Sequence, residues 1–398
     1  MKCKFCEGKI TPFMSFGQMP MANGFLKKED FKKEFFFKLE VGFCKKDFLF
    51  QVNEHPRSPH IFNNKYPFYT EKSQHMINHF KSYSKWIKSN FLKNNSKLIE
   101  IGSNDGTFLN YFKRSNVEHL GLEPSSNVAR YSRKKGVKVL NKFFCYREVK
   151  KLIKYKNSTD VICAANVICH IPDINDLIKS IDFLLSDRGV FIFEEPYLGS
   201  MFRKTSYDQI YDAHIFIFSV HSVSTIFAQH GFELIDVLPQ KTHGGSMRYI
   251  LARKNKRKIS RKVAKFLAKE KLLKLDKMKS CIKFKKNCIK SRNYFKKKII
   301  ELKKKGKTIC GYAASAKSTT MLNFCKINNK YIDYIADTTK EKIGKFSPGM
   351  HIPIVSIDHF RKNYPDIALL CSWNHKNEIM KKERKFSKKG GKWIFHVQ

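Results

Sequence analysis

A chain of 398 residues has room for two or three domains, and 42% hydrophobic with 14% aromatic side chains excludes a disordered polymer. Lysine and arginine number 78 against 34 acidic residues, a formal charge of +44; the excess is mostly lysine spread along the chain, as at Lys27, Lys28, Lys32, Lys33, Lys134 and Lys135, and reads as solvated surface rather than a nucleic-acid footprint. No apolar run is long enough to span a bilayer and Met1–Cys6 has no apolar signal core, so a cytoplasmic protein without a membrane partner is expected, its 11 cysteines reduced.

Residues 1–72 are punctuated by Gly8, Gly17, Pro20, Gly24, Pro56, Pro59 and Pro67, and read as a small irregular domain. Its Cys3-x-x-Cys6 pair, with Cys44 farther on, has the spacing at which thiolates chelate one tetrahedral ion. The bland reading is a metal-free domain with buried thiols. From His75 to Leu92, Met76, His79, Phe80, Tyr83, Trp86 and Ile87 recur at helical spacing.

Five apolar runs follow, at Lys97–Ile101, His119–Glu123, Val137–Leu140, Val161–Ala165 and Val190–Phe193. Strands alternating with helical stretches predict a doubly wound parallel sheet within residues 73–253, closed by a strand pair at Phe232–Val237 and Arg248–Ala252. Residues 254–305 are a basic helical connector, with an apolar stripe assigned to Val263, Phe266, Leu267, Leu272, Leu273, Ile282, Phe284, Ile289 and Ile299. From 306 to 398 the pattern returns to strands at Thr308–Gly311, Tyr331–Ala336, Ile352–Val355 and Ile367–Ser372, with a helix over Thr319–Cys325: a second, smaller α/β domain.

The turn Glu100-Ile101-Gly102-Ser103-Asn104-Asp105-Gly106 follows the first of these strands and is expected to open a helix at Thr107-Phe108-Leu109. Bare backbone at a strand-to-helix turn receives a nucleoside, and Glu123, about 20 residues beyond, stands where a carboxylate takes ribose hydroxyls. With two glycines rather than three, the turn suits S-adenosylmethionine (SAM) better than a dinucleotide. Candidate cofactor residues are Glu100, Gly102, Asn104, Asp105, Gly106 and Glu123.

Three polar loops sit at the same sheet edge: Asn166–Asp173, Glu194–His214 and Thr242–Arg248. Gly311-Tyr312-Ala313-Ala314-Ser315-Ala316-Lys317-Ser318 nearly spells a P-loop, but Ala316 replaces its second glycine, which argues against an NTPase. Its amides and Lys317 are read either as a phosphate contact or as a packing device.

With its Cys-x-x-Cys opening, Glu100–Gly106, His170-Ile171-Pro172-Asp173, Ser206–His214, Thr242–Tyr249 and Gly311–Lys317, the chain resembles the three-domain SAM-dependent sugar C-methyltransferases of deoxysugar pathways over essentially its whole length. The resemblance implies an α/β fold: a Rossmann-like class I methyltransferase core with a small N-terminal zinc-binding domain and a smaller C-terminal α/β domain. It implies methyl transfer to a carbon next to the ketone of a nucleotide-linked keto-deoxysugar, with His214 as base and Tyr211, His170 and Asn166 holding the sugar or the enolate. Two departures stand out. Where the family has Tyr-Asp-Glu-His, this chain has Tyr211-Asp212-Ala213-His214, and where it has a second Cys-x-x-Cys, this chain has Cys44-Lys45-Lys46-Asp47. Cys3, Cys6, Cys44 and Asp47 are therefore the expected ligands of a structural zinc. Ala213 leaves open another small acceptor or a weakly active relative, and a basic nucleic-acid-binding protein is the rival from a different class. A monomer without a nucleic-acid partner is expected.

Overall fold

The computed structural model describes residues 1–397, and its elements form three sheets. The first is antiparallel, in the order Pro12–Pro20, Phe36–Cys44, Leu49–Val52 and Phe216–Ile217. Its last strand comes from far down the chain, so residues 1–72 do not complete their own sheet. The two-residue length of that strand hid it from any periodicity argument.

The central sheet has seven strands, in the order Phe232–Gln240, Ser246–Arg253, Leu185–Pro196, Thr159–Ala165, Lys97–Ile101, Glu118–Leu122 and Val139–Leu140. All are parallel except Ser246–Arg253, which runs antiparallel to both neighbours. The order reverses between Lys97–Ile101 and Thr159–Ala165, and a crevice opens at their carboxyl ends. Helix Gln74–Phe91 buries Met76, Phe80, Tyr83, Ser84 and Ile87 against this sheet, and the Ser73 side chain accepts the Met76 amide to cap it. Two expectations shrink here. The run Val137–Leu140 keeps only Val139–Leu140 as strand, and the helix expected at Thr107–Leu109 is a single 3-10 turn, Leu109–Phe112. Phe108, Leu109 and Phe112 are all buried, so packing of bulky side chains fixes this segment more than helical pairing does.

The third sheet is wholly parallel, in the order Ile354–Ser356, Ile335–Asp337, Ile309–Tyr312, Ile367–Leu370 and Lys392–Ile394. The strand expected at Tyr331–Ala336 is confined to its end. The connector is two helices, Arg261–Leu272 and Met278–Lys304, rather than one. Its buried stripe is Cys281, Phe284, Cys288, Phe295 and Ile299, whereas Leu272, Leu273 and Ile282, assigned to the stripe from sequence, are exposed. Cys281 and Cys288 take core positions in the stripe because a free buried thiol packs as a small hydrophobe. The stripe joins the first and third sheets into one core, with Phe284 stacked on Phe202 at 4.5 Å. Glu270, on the other connector helix, is buried and accepts the amides of Val220 and His221 and the Tyr197 hydroxyl. It supplies the carboxylate that helix Val220–Ala228 favours at its amino end.

Candidate active site

One cavity of about 820 Å³ opens at the crevice and is walled by all three sheets' loops. Gly102, Ser103 and Asn104 form one wall, with Glu100 and Glu123 beside them. Gly102 has φ +67°, and a Cβ there would lie 2.4 Å from Val167, so only glycine lets the turn pass the neighbouring loop. Glu123 accepts the amides of Asn104 at 3.0 Å and Ser125 at 2.7 Å, one on each oxygen. Each oxygen keeps a lone pair for a ribose hydroxyl. Burial raises the Glu123 pKa above the usual carboxylate value, and raises that of Glu100, whose Oε2 has no partner, much further.

Asp105 and Gly106, expected at the cofactor, do not line the cavity. Asp105 accepts the Glu71 amide at 2.9 Å and the Thr107 hydroxyl at 2.6 Å, and is fully buried. The Asn104 side chain bridges to the same strap, accepting the Thr70 amide at 3.1 Å and donating to the Phe68 carbonyl at 3.2 Å. The turn therefore fastens residues 66–72 beside the Gly102–Asn104 wall, and Tyr66, Phe68 and Tyr69 line the cavity. Sequence reading missed this strap; its run of aromatics and prolines was the one available signal.

Asn166, His170, Tyr211 and His214 also line the cavity, where the three loops were expected to meet. The His214 Nδ1 lies 2.8 Å from the Gln209 carbonyl, which can only accept, so Nδ1 carries the proton. Nε2 then holds the lone pair and accepts from the Tyr211 hydroxyl at 2.5 Å. Burial, followed by the charges of His170 and Lys317, lowers the His214 pKa well below the usual imidazole value. His170 repeats the pattern: Nδ1 donates to the Ala213 carbonyl at 2.5 Å, leaving Nε2 as an acceptor. Asn166 has φ +57° and a buried Oδ1 without a partner.

The loop carrying these residues is pinned from several directions. The Trp373 indole donates to Asp208 at 2.7 Å, His396 lies 3.3 Å from the other Asp208 oxygen, and the Thr320 hydroxyl donates to the Ile210 carbonyl at 2.9 Å. Asp212 accepts the Ala22 amide at 3.1 Å from the amino-terminal side. Beneath His170, Glu195 accepts the amides of Val167 and Cys169 at 2.9 and 3.1 Å, and burial pushes its pKa up to about 7. Sequence gave no sign of these supports, whose partners lie as many as 190 residues apart.

Ala313, Ala314, Ser315, Ala316 and Lys317 reach the cavity from the third sheet. Four amides of this loop are already used: Ala313 donates to the Ala336 carbonyl, Ala314 to Asp337, and Ser315 and Ser318 exchange capping hydrogen bonds at the start of helix Ala316–Cys325. Lys317 has only long contacts, 3.4 Å to Asn374 Oδ1 and 3.5 Å to the His243 carbonyl, and burial lowers its pKa. His243, with φ +51° and an unpartnered Nε2, stands beside it.

At the amino terminus, Cys3, Cys6, Cys44 and Asp47 converge. Cys6 and Cys44 Sγ are 3.8 Å apart, and Asp47 Oδ2 lies 3.4 Å from Cys3 Sγ and 3.1 Å from Cys44 Sγ. Zinc–sulfur bonds of ~2.3 Å in a tetrahedron put sulfurs roughly 3.8 Å apart, so the four groups fit a closed zinc centre. Gln229 approaches the free Asp47 oxygen at 3.5 Å. Asp47→Cys is expected to retain zinc and to slow its loss to a chelator by about tenfold, because thiolate is the softer ligand, read as zinc released to a chromophoric chelator.

The order of matches to known families follows this architecture. Residues 3–62 match the family described as "Putative zinc binding domain", 74–237 a methyltransferase domain, and 241–397 a C-methyltransferase C-terminal domain. The whole chain aligns at 28% identity with 95% of the C-methyltransferase NovU of Streptomyces niveus. Solved structures similar to it include PH0226 protein from Pyrococcus horikoshii OT3 (15% identity, 48% of this chain and 97% of that one, TM-score 0.38). Another is magnesium protoporphyrin IX methyltransferase from Synechocystis PCC 6803 (12% identity, 45% and 83%, TM-score 0.35). The protein is a SAM-dependent methyltransferase whose amino-terminal Cys3, Cys6, Cys44 and Asp47 are placed to hold a zinc ion. More narrowly, its three regions match in order a zinc-binding, a methyltransferase and a C-methyltransferase C-terminal family model, and it is similar over its whole length to a C-methyltransferase.

Proposed function

We propose that the acceptor is a nucleotide-linked keto-deoxysugar, methylated on the carbon beside its ketone through an enolate. The observation that carries this reading is His214, whose Nδ1 proton is committed to the Gln209 carbonyl so that a neutral Nε2 faces the cavity beside a phenol. Carbon becomes nucleophilic only when deprotonated, so the acceptor side needs a base and a donor for the enolate oxygen. Turning the Tyr211 hydroxyl from Nε2 to the ketone oxygen supplies both at once: it frees the base and delivers a donor. Asn166 offers an amide of the same kind. His170, whose Nε2 can only accept while the ring is neutral, suits a sugar hydroxyl rather than the enolate. SAM, held along Gly102–Asn104 with its ribose on Glu123, supplies the electrophilic methyl group. Lys317 and His243 suit the diphosphate of the nucleotide, at the cavity wall built by the third sheet.

The test is mass spectrometry of nucleotide-linked 4-keto-6-deoxysugars incubated in heavy water with protein and SAM. Gain of one methyl supports the reading, and deuterium uptake without methylation supports the base alone. No change in any sugar, with SAM bound, assigns the enzyme another acceptor. Ala213 is buried and its side chain is absent from the cavity wall, so the carboxylate usual at this position is missing from beside the base. Ala213→Glu is expected to raise kcat on the keto-sugar by about tenfold, within the range of general acid–base contributions, as measured by steady-state kinetics. A fall in kcat would mean a pocket shaped for a different acceptor.

A further inference from the structure

Although lysine is abundant everywhere, the connector concentrates it. Helix Met278–Lys304 carries eleven lysines and arginines against one acid, Glu301. Its buried stripe faces the core, so the charge is turned outward. The other two connector acids do not balance it: Glu270 is buried and committed to helix Val220–Ala228, and Asp276 is largely covered and paired with Lys277 at 3.2 Å. The result is a face about 40 Å long, at ~1.5 Å per residue, with almost uniform positive charge.

The connector also exposes apolar side chains that the core does not use. At the break between the two connector helices, Leu272 is 83% exposed and Leu273 51%, with Lys269, Lys271, Lys274 and Lys277 around them. Ile282, one turn into the second helix, is exposed as well. Exposing adjacent leucines to water has a cost that packing within this chain does not recover. Phosphates of a nucleic acid would meet the lysines but give the leucines no apolar environment. An anionic bilayer surface answers both: lysines sit at the headgroups and the leucine corner enters the acyl boundary.

We propose that the basic connector docks the enzyme on an anionic lipid surface, with the Leu272–Leu273 corner inserted and the lysines of helix Met278–Lys304 lying along the headgroups. No helix among the described residues is long and apolar enough to cross a membrane, so the contact is peripheral. Neither the acceptor nor the methyl-transfer chemistry enters this argument.

The experiment is co-sedimentation of the full chain, at roughly physiological salt, with vesicles of phosphatidylcholine alone or mixed with phosphatidylglycerol. Binding to the mixed vesicles only is expected. Replacing Lys269, Lys271, Lys279 and Lys283 by glutamate, or Leu272 and Leu273 by serine, is expected to weaken it by at least about tenfold. A control with the exposed Lys27, Lys28, Lys32 and Lys33 replaced by glutamate carries the same change in net charge away from the connector, and is expected to bind as the parent does. Equal loss in the control would overturn the proposal in favour of diffuse charge. Full binding by the leucine variant, or displacement of the protein from vesicles by a labelled single-stranded RNA, would overturn it in favour of a polar polyanion. Unchanged SAM affinity and zinc content in each variant show that it is folded.

Discussion

His214→Ala is expected to lower methyl transfer by about 10²–10⁴-fold, the usual contribution of a positioned general base, with SAM affinity changed by less than about twofold. The two halves of that expectation come from separate hydrogen-bonded groups. His214 bonds to Gln209 and Tyr211, whereas Glu123 bonds to Asn104 and Ser125, with no hydrogen bond to His214. Turnover measured by mass spectrometry and SAM binding by calorimetry separate the two effects, and full activity in the variant would remove His214 as base. The pH profile gives an independent reading. Burial and the neighbouring His170 and Lys317 disfavour the imidazolium, so the base stays neutral below its ordinary pKa of 6.5. Protonation is what inactivates it, and the acid limb of kcat/KM should therefore lie on the acid side of pH 6.5. A limb above that value would mean that substrate or a carboxylate stabilises the protonated ring.

Cys44→Ala should have the second large effect, eliminating zinc and lowering the melting temperature by on the order of 10 °C. Structural zinc in small domains contributes about 10–16 kcal/mol of apparent folding energy, but here the amino-terminal sheet is also held by packing, so only part of that is lost. Cys3, Phe5, Ile10, Cys44 and Leu49 belong to the same core as the central sheet, and Phe5 packs edge-on against His230 at 5.8 Å. Unravelling the metal loop thus loosens the methyltransferase core itself. Activity should fall too, because the Ala22 amide that holds Asp212 belongs to this amino-terminal region. Metal analysis with calorimetric melting checks the prediction; an unshifted melt in a zinc-free variant would make the metal dispensable.

Much of this enzyme is written in short stretches of chain. The alternation of apolar runs marked the parallel sheet, the Gly102 turn marked one wall of the cavity, and the Cys3–Cys6 spacing marked half of the cysteine cluster, because each signal lies within one or two elements. Local signals failed where packing overrode them. Phe108, Leu109 and Phe112 hold a 3-10 turn where a helix was expected, and the connector's stripe was misassigned because Cys281 and Cys288 pack as apolar residues while Leu272 and Leu273 do not pack at all.

The candidate site divides along the same line. Sequence named Asn166, His170, Tyr211 and His214, but it also named Asp105 and Gly106, which do not line the cavity: Asp105 braces the strap over it, and Gly106 packs close to Ser132 and Val137. Whether a polar residue near a strand end meets ligand or scaffold depends on what packs behind it, and for Asp105 that is Glu71. The residues themselves therefore determined the groups available: a glycine turn after a strand, a Cys-x-x-Cys spacing and three polar loops with one histidine each. Tertiary structure alone decided which supports hold the Ser206–His214 loop: Trp373, His396, Thr320 and Ala22. Backbone periodicity and turn preference act over a few residues, whereas those contacts join segments more than a hundred residues apart, and only the folded core brings them within hydrogen-bonding reach.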